Sequence, residues 1–131
     1  MILDSNIIIY ANEPENRTLR LYLDTRRSDL QASLISKLEV LGFPRITRID
    51  KQDLTSFVDA MSILPIDEAI ITEAIITEAI RLRQQRKRSL DDSIIAATAL
   101  LYNLPLLTNN VADFSDIDGL QVVALADVLS A

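Results

Sequence analysis

Five short apolar runs recur along the chain with helix-patterned segments between them: MIL at 1–3, LQASLI at 30–35, ILPID at 63–67, LPLLT at 104–108 and LQVVAL at 120–125. The runs are continuous rather than alternating in polarity. A strand with one wet face would alternate, so continuous runs suit strands buried on both faces. Strands in strict alternation with helices give a mostly parallel sheet with helices packed on either side, an α/β fold. LQASLI also suits a strand running into a helix that starts near Ser33 or Ser36. Helices are predicted over 5–12 with Ser5 as N-cap, 15–28, 35–42, 51–62, 68–87 and 91–103, with a short one after 125. Gly42 and Pro44 stop the third of these.

A chain of 131 residues is one domain, 1–131, large enough to bury a core. With 49% hydrophobic residues it is not a disordered chain. Two glycines and four prolines leave few breakers, which favours helix. There is no cysteine and no histidine. Disulfides, thiolate metal sites and a histidine general base are therefore excluded. Any metal site must use oxygen ligands, which points to Mg²⁺, Mn²⁺ or Ca²⁺ rather than Zn²⁺. The net charge of −6 argues against a generic basic coat for nucleic acid. The N-terminal MILDSNIIIYANE lacks a basic leader region, and no uncharged run approaches the ~20 residues of a membrane span. The expectation is a soluble cytoplasmic protein with no membrane partner.

In a parallel sheet the ligand site lies beyond the carboxyl ends of the strands. Asp4 follows the first strand and Asp113 lies just past the fourth. Glu39 and Asp92 fall early in helices, beside strongly apolar neighbours. All four can converge on one edge of the sheet. A carboxylate in such a place is costly unless paired or bound to a cation. Clustered carboxylates suit Mg²⁺ or Mn²⁺, which lowers the pKa of water and stabilises charge on a phosphoryl group. The plain alternative also holds at this level: most of the 19 acidic residues are solvated surface, and Asp91 suits an N-cap or a supplementary charge.

Four segments together resemble a known family. LDSN at 3–6 followed by IIIYA, SLISKLEVL at 33–41, DSIIAATAL at 92–100 and LLTNNVADF at 106–114 are similar, in order, to the four motifs of PIN-domain proteins. The nearest subgroup is the VapC-like toxin ribonucleases. The resemblance implies a three-layer α/β/α sandwich and Mg²⁺- or Mn²⁺-dependent endonuclease action on RNA. It implies Asp4, Glu39, Asp92 and Asp113 as catalytic and metal-binding residues. Asn6, Thr108 and Asn110 would orient carboxylates or water around them. The implied partners are an RNA substrate, a cognate antitoxin and a second copy of the chain.

RLRQQRKR at 81–88 holds five basic residues in eight, directly before Asp92. A basic run is often a solvated helix end. Here Arg81, Arg83, Arg86, Lys87 and Arg88 are also placed to hold a phosphate backbone, with Arg45, Arg48 and Lys51 as additions. Tyr10 and Phe114 are read as packing residues. Residues 70–79 are IITEA twice over. A five-residue step turns a helix by about 500°, so the copies face about 140° apart. Ile70, Ile71, Ala74, Ile75, Ala79 and Leu82 form one apolar arc, and Ala69, Ile76 and Ile80 a second. Either the second stripe meets a partner or the helix is buried on two sides.

The competing function is a catalytically silent PIN-like module that binds RNA or protein. A phosphatase of the haloacid dehalogenase type would need a second Asp two residues after Asp4, where this chain has Asn6.

Overall fold

The computed structural model describes residues 1–42, 44, 46–84 and 88–129. Its five strands are β1 (Ile2–Leu3), β2 (Gln31–Ser33), β3 (Ser62–Leu64), β4 (Leu106–Thr108) and β5 (Val122–Ala124). They form one sheet in the order β3-β2-β1-β4-β5, and every pairing is parallel. The helices are α1 (Ser5–Ala11), α2 (Arg17–Asp24), α3 (Leu34–Leu41), α4 (Arg48–Asp59), α5 (Glu68–Arg83), α6 (Leu90–Tyr102) and α7 (Leu125–Leu129). None is long and apolar enough to cross a membrane among the described residues.

The pleat sends successive side chains to opposite faces. Leu3 and Leu107 join one cluster with residues of α1, α2, α3, α4 and α7, whereas Ile2 and Leu106 join Ile95, Ala96 and Ala99 of α6 on the other face. The α/β/α sandwich is thus built from both faces of strands two or three residues long. The strands are shorter than their apolar runs because helices start at once. Asp4 directly follows β1 and caps α1, accepting from the Ser5 amide at 2.8 Å. The cap is therefore Asp4 and not the expected Ser5. Ser33 ends β2 and caps α3, which spends the rest of LQASLI on helix. Pro65, which has no N–H to give to a ladder, follows β3.

Other ends shift for similar local reasons. Thr47 caps the fourth helix, so it spans 48–59 and not 51–62. Ser89 caps α6 through the Asp92 amide at 3.1 Å, so Asp91 is not the cap. The segment predicted as helix over 15–28 is α2 followed by a separate 3₁₀ turn, Arg27–Asp29. Gly42 ends α3 where a Cβ would stand 2.6 Å from the Leu38 carbonyl oxygen. The small residues of IIAATA let α6 lie close against both the sheet and α5. Ile94 and Ala97 meet Ile70 and Ala74 of α5.

α5 buries a narrow stripe, not two broad ones. Ile70 and Ala74 are inside. Ile71, Ile75 and Leu82 of the first arc are exposed, as are Ile76 and Ile80 of the second. Burial on two sides is therefore overturned. The reason is that α5 turns one edge inward, Ile70 and Ala74 against α6 and Arg81 against the Asp113 turn, and leaves the rest of both arcs to solvent.

Candidate active site

The sheet order reverses direction between β1 and β4, which puts a crevice at the carboxyl ends of these two neighbours. Leu3 pairs with Leu107, so Asp4 and Thr108 end adjacent strands. Thr108 Oγ1 donates to Asp4 Oδ2 at 2.7 Å, and the Ser5 amide holds Oδ1. Both carboxylate oxygens of Asp4 are thereby held, at a residue that is 5% exposed. The Asn110 amide donates to Thr108 Oγ1 at 2.9 Å, which fixes the hydroxyl's direction. Asn110 acts through its main chain, and its side chain is exposed.

Glu39 enters from the second turn of α3. Ser5 Oγ donates to its Oε1 at 2.7 Å, so Ser5 holds Asp4 with its amide and Glu39 with its hydroxyl. Asp92 sits in the first turn of α6, where the helix dipole favours negative charge. Asp113 lies on a 3₁₀ turn, Val111–Asp113, just past β4. Asn6 stands in the first turn of α1, and its buried Oδ1 has no hydrogen-bond partner among the described residues.

The protonation equilibria show that these groups share one field. Burial pushes the Asp4 carboxyl above its ordinary value, and the charge of Asp113 adds to the rise. Burial also raises Asp92, helped by the charges of Asp4 and Asp113 and opposed by Ser89 and Arg88. Glu39 is pushed up to about 7, first by burial, then by the Asp91 carboxyl within hydrogen-bonding reach and by the charge of Asp4. Burial leads each of these rises, and the neighbouring carboxylates add to it. Among the described residues no three acidic side chains stand close enough together to hold one metal ion. Like charges hold bare carboxylates apart. The donor set still fits a hard divalent cation: all oxygen, strongly anionic, with a buried and unsatisfied Asn6 oxygen in the same stretch of chain.

The basic run divides. Arg83 is exposed at the end of α5, whereas Arg81 and Arg88 are buried and bind the protein itself. Placing all five basic residues on one RNA-facing surface is thus corrected for these two, because both guanidinium groups turn inward to main-chain and carboxylate oxygens. Arg86 and Lys87 lie outside the described residues, as does Arg45. Arg48 and Lys51 are exposed on the first turn of α4. Phe114 is fully buried against α6, and Tyr10 is half-buried against the other core. Sequence reasoning missed the Ser5–Glu39 hydrogen bond, the Asp91–Glu39 contact and the two buried arginines. For the first, the only signal was a serine next to a carboxylate at a strand end.

No curated protein matches the chain. Solved structures do. A toxin–antitoxin complex from Klebsiella pneumoniae contains a chain with 30% identity and a TM-score of 0.74, aligned over 94% of this chain and 95% of that one. DNA-bound VapBC from Salmonella typhimurium aligns at 21% identity with a TM-score of 0.83, over 94% and 96% of the two chains. FitAcB from Neisseria gonorrhoeae aligns at 24% identity and 0.78, over 92% and 94%. A family match runs over residues 1–120, from β1 through the Asp113 turn to the threshold of β5, and on that span the chain belongs to the PIN domain family.

Proposed function

We propose that this protein is a divalent-cation-dependent endoribonuclease and the toxin of a toxin–antitoxin pair. What supports this reading is a chain of mutual influence that starts at the β1/β4 crevice: Asp4 feels the charge of Asp113, Asp92 feels Asp4 and Asp113, and Glu39 feels Asp4 while sharing Ser5 with it. A purely structural cluster would lower its cost by dispersing these charges. A bound Mg²⁺ or Mn²⁺ would supply positive charge at the scissile phosphate and a more acidic water. Asp4, Glu39, Asp92 and Asp113 would hold it. Ser5 and Thr108 keep Asp4 and Glu39 aimed. Asn6 and the Asn110 amide complete the polar lining. Arg83, Arg48 and Lys51 are exposed and would meet RNA phosphates, with Arg86 and Lys87 assigned the same role from their place in the sequence.

An antitoxin partner is favoured by the 30% identical chain, which was solved as a toxin–antitoxin complex. A second copy of the chain is the other partner, and α5 offers exposed apolar surface for contact. The silent-module reading has no observation of its own, since all four acidic positions are filled.

The test is cleavage of a mixed RNA pool by purified protein with Mn²⁺ or Mg²⁺. Cleavage lost with EDTA and in Asp92→Asn is the expected result. A folded protein that binds Mn²⁺ by calorimetry but cuts no RNA, while cutting single-stranded DNA, would move the substrate to DNA. A folded protein with no cation site would sink the nuclease.

A further inference from the structure

Two of the basic residues in 81–88 leave the surface for the same atom. Arg81 comes from the last turn of α5, and Arg88 from the segment leading into α6. Each is 5% exposed. Arg81 Nη1 donates to the Asp113 carbonyl at 2.8 Å, and Arg88 Nε donates to the same oxygen at 3.2 Å. Asp116 lies beyond it, with Oδ2 at 3.6 Å from Arg81 Nε and Oδ1 at 3.4 Å from Arg88 Nη2. Glu78 secures the approach. It accepts from the Arg88 main-chain amide at 3.2 Å and from Ser93 Oγ of α6 at 3.2 Å.

This arrangement is expensive. Two guanidinium groups share one buried space, and desolvating paired cations costs several kcal/mol unless their hydrogen bonds are well used. Closing a three-residue 3₁₀ turn needs far less. The residue they grip explains the expense. Asp113 is exposed, so packing does not fix its side chain. Its place is set by its main chain, through the carbonyl held by both arginines and through Phe114, the next residue, which is fully buried.

We infer that Arg81 and Arg88 are positioning residues: by converging on the Asp113 carbonyl and on Asp116 they hold the 111–116 turn where the Asp113 carboxylate joins the acidic cleft. This rests on the reading of Asp113 as a cation ligand. The arginines touch neither substrate nor cation; they hold the turn through Asp113, and the charge of Arg88 also reaches Asp92.

The test is Mn²⁺ titration by calorimetry, without RNA, on Arg81→Met, Arg88→Met, Asp113→Asn and the Arg88→Met/Asp113→Asn pair, with circular dichroism to establish folding. Each arginine variant should bind Mn²⁺ about tenfold more weakly, the lower range for loss of an outer partner of a ligand. The pair should bind no more weakly than Asp113→Asn alone, because both changes remove the same contribution. A merely structural role would lower the melting temperature and leave Mn²⁺ affinity of the folded protein unchanged, and that result overturns the inference. Additive losses in the pair overturn it as well. If Asp113→Asn weakens Mn²⁺ and neither arginine variant does, positioning fails while the nuclease reading stands. If wild type binds no Mn²⁺, or Asp113→Asn binds it like wild type, the ligand role of Asp113 fails and positioning falls with it. Should the methionine variants not fold, Arg81→Lys and Arg88→Lys keep the charge but lack a fork that spans carbonyl and carboxylate at once. A smaller loss of Mn²⁺ affinity is expected of them, and none at all overturns the inference.

Discussion

Asp4 and Glu39 share one neighbour, Ser5, and are held in different ways. Asp4 ends a central strand, is buried, and has a donor on each oxygen. Glu39 projects from a helix, is half-buried, and has one donor on Oε1 with the Asp91 carboxyl close by. Burial raises both carboxyls. At Asp4 two hydrogen bonds to the charged form oppose the rise, and at Glu39 one does, while Asp91 adds to it. The sheet therefore supplies a carboxyl with a donor on each oxygen to oppose its rise, and α3 supplies one that is pushed up to about 7. Position on the fold sets the chemistry of two otherwise similar groups.

Asp4→Asn should have the largest effect on function. Loss of a direct ligand should exceed the about 10–100-fold that follows loss of an outer partner, so Mn²⁺ affinity and RNA cleavage should fall by more than about a hundredfold. The cation-free protein should become more stable, because a neutral amide is cheaper to bury among carboxylates. Thermal melts in EDTA beside Mn²⁺ titrations check both halves. A variant that is inactive and also less stable would mean that Asp4 is primarily structural.

Thr108→Val comes next. It removes the donor to Asp4 Oδ2 and the acceptor of the Asn110 amide without changing shape much. A cost of about 1–3 kcal/mol by urea unfolding is expected, since buried polar groups lose their partners. In the Asp4→Asn background the cost should shrink, because the charged acceptor is gone. Equal costs in both backgrounds would remove Thr108 from the support of Asp4.

The sheet and the places of the acidic residues were legible in the sequence, and the basic run was not. MIL and LPLLT are continuous apolar runs whose strands are covered on both faces, whereas LQVVAL gives the half-buried edge strand β5. Asp4 and Thr108 stand at the ends of such runs, which located them at one edge before any contact was known. Arg81, Arg83 and Arg88 look alike on paper. Two turn inward because Asp116 and the Asp113 carbonyl, 25 to 32 positions away for that carbonyl, accept their hydrogen bonds. Local pattern carries no trace of such distant partners. The IITEA repeat failed for a related reason. Ile70 is buried and its copy Ile75 is 63% exposed, because a helix rotates identical segments to different sides and α6 covers only one. Periodicity gives the arcs; the neighbours decide which arc is covered.

The pH dependence separates Glu39 from Asp4 more finely. A carboxyl raised from its ordinary value to about 7 in the folded state binds its proton more tightly there than in the unfolded chain. Its contribution favours folding at low pH and is lost as pH rises through that range. The cation-free protein should therefore lose stability between about pH 4.5 and 7, and Glu39→Gln should flatten that part of the curve. Melting temperatures in EDTA across the range measure it, and a slope that survives in Glu39→Gln would belong to Asp4 or Asp92.

The smallest effect is the cleanest separator. Ser5→Ala removes the hydroxyl that donates to Glu39 Oε1 and leaves the main-chain amide on Asp4 Oδ1. Of the two carboxyls, only Glu39 loses a donor. That donor favours the charged form, so without it the Glu39 carboxyl should rise further, and the stability loss should move to higher pH. The cost in the pH-independent region should be about 0.5–1.5 kcal/mol, the ordinary net worth of one hydrogen bond. If the curve of Ser5→Ala overlays that of wild type, the proton on Glu39 is governed by Asp91 and burial alone, and the bridge through Ser5 couples the two carboxyls in geometry but not in charge.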